Sequence, residues 1–182
     1  IVSTKDVFPI AYISHDLMDE VAFDQYEYPK NLDTLISRTV VSESSENKQL
    51  IDGCEPYESQ LKKIKINRTD KMNEIDIDEA KTRVISCKGM KDIGVLSFRV
   101  DTKEARDITI TVNGIKERLS SFDAPYPNEN HLFSFVLENP GDYITIEYGP
   151  GKYRISDWEL YTCDQEVLNR AIEKITKVDF QK

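Results

Sequence analysis

From residue 61 onward the chain alternates apolar and polar side chains with a period of two. "LKKIKIN" (61–67) sets Ile64 and Ile66 on one face and Lys63 and Lys65 on the other. "VLSFRV" (95–100) turns Leu96, Phe98 and Val100 inward and Ser97 and Arg99 outward. "DITITVNG" (107–114) does the same with Ile108, Ile110 and Val112, "HLFSFVL" (131–137) with Phe133, Phe135 and Leu137, and "DYITIEY" (142–148) with Ile144, Ile146 and Tyr148. Successive Cβ atoms of a strand point to opposite faces, so each run predicts a strand half-buried against a core. "TRVISCKG" (82–89) predicts another strand, but its alternation does not choose the buried face.

Turn signals separate these runs. Asn113-Gly114 tolerates positive φ at both positions and predicts a tight hairpin to "IKERL". "ENPGD" (138–142) predicts a second turn around Pro140-Gly141. Many short antiparallel strands at this spacing predict a mainly β fold, a jelly-roll-like antiparallel β-sandwich over residues 61–163.

"GKYRISDWELYTCDQEVLNRAI" (151–172) holds the single Trp of the chain. Trp158 and Leu160 share one face, and Ile155 joins them only if a β-bulge lies near Ser156-Asp157. A C-terminal amphipathic helix follows within 164–182, belonging to the same domain. Its apolar stripe is Val167, Leu168, Ala171, Ile172 and Ile175. Thr162 or Asp164 serves as its N-cap, and Thr162 with Gln165 matches a capping box. The stripe must be covered, either by the sandwich or by the N-terminal segment.

Residues 1–60 read differently, as a strand-and-helix segment with a loop that packs on the sandwich. "VFPIAYIS" (7–14) is short, apolar and extended. Pro29 and Asn31 announce a helix over about 31–37, with Asp33 near its positive end and Leu32, Leu35 and Ile36 on a docking face. Residues 42–60 show no sustained period and read as a loop.

At 182 residues the chain can bury a core without metals or disulfides. Its formal net charge of −9 argues against non-specific nucleic-acid binding, which needs cations on phosphate, and against a grip on anionic lipid. No apolar run approaches the roughly 20 residues that span a bilayer. The chain starts at Ile1, not Met, and so reads as a piece of a longer protein. Cys54, Cys87 and Cys163 are odd in number and lack zinc spacing, which predicts buried or partly buried thiols.

Catalytic signals are sparse. His15 and His131 are the two histidines, and no nucleophile elbow, phosphate loop or zinc-helix motif is present. No catalytic residue is assigned. Asp70, Glu74, Asp76, Asp78 and Glu79 crowd one segment, so Asp76 and Asp78 are candidate calcium ligands; a solvated acidic loop is the favoured reading. No other cofactor is implied. "NRT" (67–69) matches an N-glycosylation sequon. The ligand candidates are Tyr126, Asn128, Asn130 and His131 on the loop "SFDAPYPNENH" (121–131), together with Trp158. Tyr126 between two prolines could stack on a sugar ring while the amides bond hydroxyls. The core parity of Trp158 favours packing instead.

The series "GVLSFRV", "DITITVNGIKERL", "HLFSFVL", "GDYITIEYG" and "YRISDWELYT" resembles a galactose-binding-like jelly roll. With "FPIAYISHDLMDEVAFDQYEYPKNLDTLISRTVV" before it and "DWELYTCDQEVLNRAIEKI" at its end, nearly the whole chain resembles the extracytoplasmic region of YfhO-like bacterial multi-pass membrane proteins. That resemblance implies a non-catalytic accessory domain of a membrane glycosyltransferase-like protein, implicated in lipoteichoic acid decoration in Gram-positive bacteria. It places the domain on the extracytoplasmic face of the cell membrane, beside its parent's membrane segments. A glycan or teichoic-acid-type acceptor is the implied partner. The alternative is a carbohydrate-binding module of a secreted protein.

Overall fold

The computed structural model describes residues 16–42, 44–54, 58–66, 73–120 and 131–176, with the side chains of 36, 37, 45, 46 and 171–176 excepted. The expected strand at 7–14, the sequon at 67–69, and His15 lie outside the described residues. The chain forms two compact units, one of residues 62–164 and one that joins 1–61 to 165–182.

The smaller unit begins with β1 (Leu17–Asp19), α1 (Glu20–Phe23), α2 (Lys30–Ser37), β2 (Thr39–Val41) and α3 (Ser45–Ile51). β1 and β2 pair in parallel, Leu17 opposite Thr39. Asp19 caps α1 by accepting from the Ala22 N–H at 2.8 Å. The helix expected near 31–37 is α2; of its expected docking face, the Ile36 side chain lies outside the described residues. Leu32 and Leu35 are exposed, while Thr34 and Arg38 are buried. Polar links also hold α2: Asp33 accepts from the Ser59 hydroxyl and the Gln60 N–H. α3 corrects the loop expected over 42–60. The helix is short and mostly polar, so it has no apolar stripe to announce it; its one signal is Ser44, which accepts from the Asn47 N–H at 3.1 Å.

The larger unit is an antiparallel β-sandwich of β3 (Lys62–Lys63), β4 (Glu74–Ile77), β5 (Lys81–Ser86), β6 (Ile93–Thr102), β7 (Ile108–Val112), β8 (Ile115–Leu119), β9 (Leu132–Glu138), β10 (Tyr143–Tyr148) and β11 (Gly151–Cys163). One sheet runs β5-β10-β7-β8. The other runs β3-β11-β6-β9, with β4 also on β11. From β4 onward the chain changes sheet at every connection except the β7–β8 hairpin, a jelly-roll-like path. That hairpin turns on Asn113 and Gly114 with φ of 46° and 86°, as the sequence predicts.

The inward residues of both sheets form one core, including Leu96, Phe98, Ile110, Phe135, Ile146 and Leu160. β11 carries the expected bulge. Between Ser156 and Glu159 its register against β6 slips by one residue, and Asp157 takes a φ of 52°. Asp tolerates this left-handed conformation better than most residues. The slip brings Ile155 and Trp158 to the same face, and the Trp158 ring packs 4.5 Å from that of Phe98.

Three expectations change here. Residues 74–77 are a strand, not part of an acidic loop: Ile75 is buried opposite Tyr153. Ser97, expected outside, is 2% exposed. Thr162 is not a helix cap, because strand β11 continues to Cys163. Its hydroxyl donates to the Ile93 carbonyl at 2.7 Å and accepts from the Lys91 N–H at 2.8 Å. α4 (Gln165–Thr176) follows at once and lies against α2 in the smaller unit.

Candidate functional site

Of the expected ligand residues, Tyr126, Asn128 and Asn130 lie outside the described residues. His131 is half-buried where β9 begins. Its Nδ1 sits 2.7 Å from the Val100 carbonyl, which can only accept, so Nδ1 carries a proton. The Asp101 carboxylate lies 3.5 Å from the same atom. Trp158 sits on the inner side of β11 and is 7% exposed, a placement for packing; its buried Nε1 meets no hydrogen-bond partner. His131 and Trp158 therefore do not share a surface. Asp76 faces outward with its carboxylate 3.2 Å from Lys152 Nζ, and Asp78 is exposed beyond the strand. Among the described residues no three metal-capable side chains cluster.

The thiols and phenols with shifted acidity are interior groups. Burial pushes Tyr148 up to about 12, with Arg83 above its ring pulling the other way. Burial also raises Tyr153, and its hydroxyl donates to the Gly149 carbonyl at 3.0 Å. Cys87 is raised by burial and by Asp142. The Tyr153 phenol is tied to the backbone by that bond, whereas the buried Tyr148 hydroxyl meets no hydrogen-bond partner among the described residues.

The outer faces of the two sheets offer more. On the five-stranded sheet, outward side chains pair across strands: Lys152 with Asp76, and Lys63 with Glu159 at 2.6 Å. Arg154 stands between Glu74 on one side and Asp101 on the other. Such a surface is a solvated, cross-strand charge lattice. Toward the other end of the same face Ile93, Val95 and Tyr161 also point away from the core, yet each is buried.

The outer face of the four-stranded sheet is built differently. β5 presents Thr82, Val84 and Ser86; β10 presents Tyr143, Thr145 and Glu147. β7 adds Thr109 and Thr111, and β8 adds Lys116 and Arg118. Glu147 is the one carboxylate these strands turn outward there, and Arg118 pairs with Asp107 at its edge. Tyr143 and Val84 are 62% and 61% exposed. They lie on adjacent strands in diagonal register, since Thr145 faces Val84 and Tyr143 faces Ser86. Diagonal neighbours on one face are within reach of an aromatic ring. The hydroxyls of Thr82, Ser86, Thr111 and Thr145 have no hydrogen-bond partner among the described residues.

The outward parity of Tyr143 is written in "DYITIEY", but no sequence signal marked it as a site. Val84 could not be placed, because its strand did not reveal its buried face. The smaller unit carries one further feature, an open cavity of about 300 Å³ lined by Asp19, Val21, Lys48, Ile51 and Asp52. No helix among the described residues is long and apolar enough to cross a membrane. No protein-family model matches the chain, and no curated protein matches it.

Proposed function

We propose that the chain is a non-catalytic extracytoplasmic accessory domain of a membrane glycosyltransferase-like protein of the YfhO-like type. In this reading it positions a glycan acceptor for cell-wall or lipoteichoic acid glycosylation, or braces the enzyme. The observation that carries it is the insertion topology. The first 61 residues and the last 18 belong to one unit, and the whole sandwich is inserted between them. Both ends of the sandwich's sequence thus lead into the same unit, as fits a domain inserted in the course of a chain. The net charge of −9 disfavours direct capture of a polyanionic teichoic acid, so a neutral sugar or a bracing role fits better.

The test is the coding sequence on either side of this region. Several apolar stretches of about 20 residues before it and at least one after it are expected. A secretory signal with no spanning segment would overturn the reading in favour of a secreted carbohydrate-binding module. The exposed tyrosine on the four-stranded sheet fits that alternative equally well.

A further inference from the structure

We infer that the outer face of the four-stranded sheet is a binding platform for a neutral oligosaccharide, centred on Tyr143. The inference rests on the glycan-positioning half of the function proposed above, and it moves the site away from the 121–131 loop. Tyr143 projects from the start of β10 with most of its surface in water. The residue directly opposite is Ser86, small enough to leave a face of the ring open for stacking. Val84 extends the apolar strip, and the hydroxyls of Thr82, Ser86 and Thr145, without a hydrogen-bond partner among the described residues, stand beside it; Thr111 lies farther off, across Glu147. A stacking ring among uncommitted hydroxyls matches a sugar, which offers an apolar face edged by hydroxyls.

Charge and area select this occupant over others. The chain holds 33 acidic side chains, but these strands turn a single carboxylate, Glu147, to this face, with Lys116 and the Asp107-paired Arg118 beside it, so the face carries little net charge. A face with little net charge offers no ionic anchor and suits a neutral ligand, whereas a polyanion also meets the field of a chain of net charge −9. Four strands about 4.8 Å apart and up to six residues at about 3.4 Å each give a face of roughly 300–400 Å². A second copy of the chain would need about 800 Å² per partner around an apolar centre. Two apolar side chains do not supply one.

The experiment is an NMR titration of the full chain with neutral cello-, malto- and galacto-oligosaccharides, with poly(glycerol phosphate) as the anionic probe. Saturable shifts confined to β5, β7 and β10 are expected with at least one neutral series. They should weaken at least tenfold in Tyr143→Ala, whose melting temperature should stay at the wild-type value. Thr145→Val should weaken them less. Shifts centred on His131 would overturn this platform while leaving glycan positioning intact. No shift with any neutral sugar would sink both. Response to poly(glycerol phosphate) alone would overturn the neutral specificity, and a concentration-dependent dimer abolished by Tyr143→Ala would make a second copy the occupant.

Discussion

On the five-stranded sheet outward side chains of β3, β4 and β11 stand in charge pairs, Asp76 with Lys152 and Glu159 with Lys63. On the four-stranded sheet the outward positions of β5 and β10 carry threonine, serine, valine, an exposed tyrosine and the single carboxylate Glu147, and the charges of Lys116 and Arg118 are confined to β8. Both faces enclose the same core and obey the same alternation. Their difference is therefore not required by the fold. Paired charges satisfy each other and keep a sheet soluble, whereas unpaired hydroxyls around an exposed ring leave hydrogen-bonding capacity for something else.

Substitutions can break or sharpen this contrast. The largest effect lies beneath it: Trp158→Ala should destabilise the fold by about 3–5 kcal/mol in denaturant titrations, as buried Trp truncations do. A small change would mean that the bulge does not seat the ring in the core. High pH should come next. Below pH 10 Tyr148 is protonated folded and unfolded, so it contributes no pH dependence. Above that the unfolded phenol loses its proton while the folded one holds it toward about 12, so stability must fall. The slope is about 1.4 kcal/mol per pH unit for one such group, and Tyr153 acts in the same direction. Chemical denaturation from pH 9 to 12 measures it, and a flat profile would contradict the burial of these phenols.

Gly149→Ala should cost about 1–3 kcal/mol, because its Cβ would lie 2.6 Å from the Thr109 carbonyl oxygen. Calorimetry reads this directly. Lys63→Ala tests the charged face: the pair with Glu159 is largely exposed, so the loss should stay below about 1 kcal/mol and shrink with salt. Smallest is Tyr143→Ala, with a stability change within about 0.5 kcal/mol despite its expected loss of sugar binding. A larger melting shift would mean that Tyr143 is a structural residue, and the contrast between the faces would lose its functional meaning.

The inward sets of β6, β7, β9 and β10, the Asn113-Gly114 hairpin and the bulge before Trp158 were all legible in the sequence. Each follows from a local rule: side chains alternate along a strand, two residues with positive φ close a tight turn, and one extra residue restores a broken alternation. No such rule covers a neighbour that is distant in sequence. "EIDI" alternates too, but only its pairing with β11 makes it a strand and not an acidic loop. "TRVISCKG" is apolar on both parities, and only the packing of Ile85 and Cys87 into the core leaves Val84 outside. Thr162 has the spacing of a helix cap, yet its hydroxyl is already engaged by Ile93 and Lys91, some seventy residues earlier in the chain. The same division holds for the surface. The sequence determined that Tyr143 would point outward, and only the tertiary structure decided that it would stand beside Val84 among free hydroxyls, because cross-strand register is set by the whole sheet.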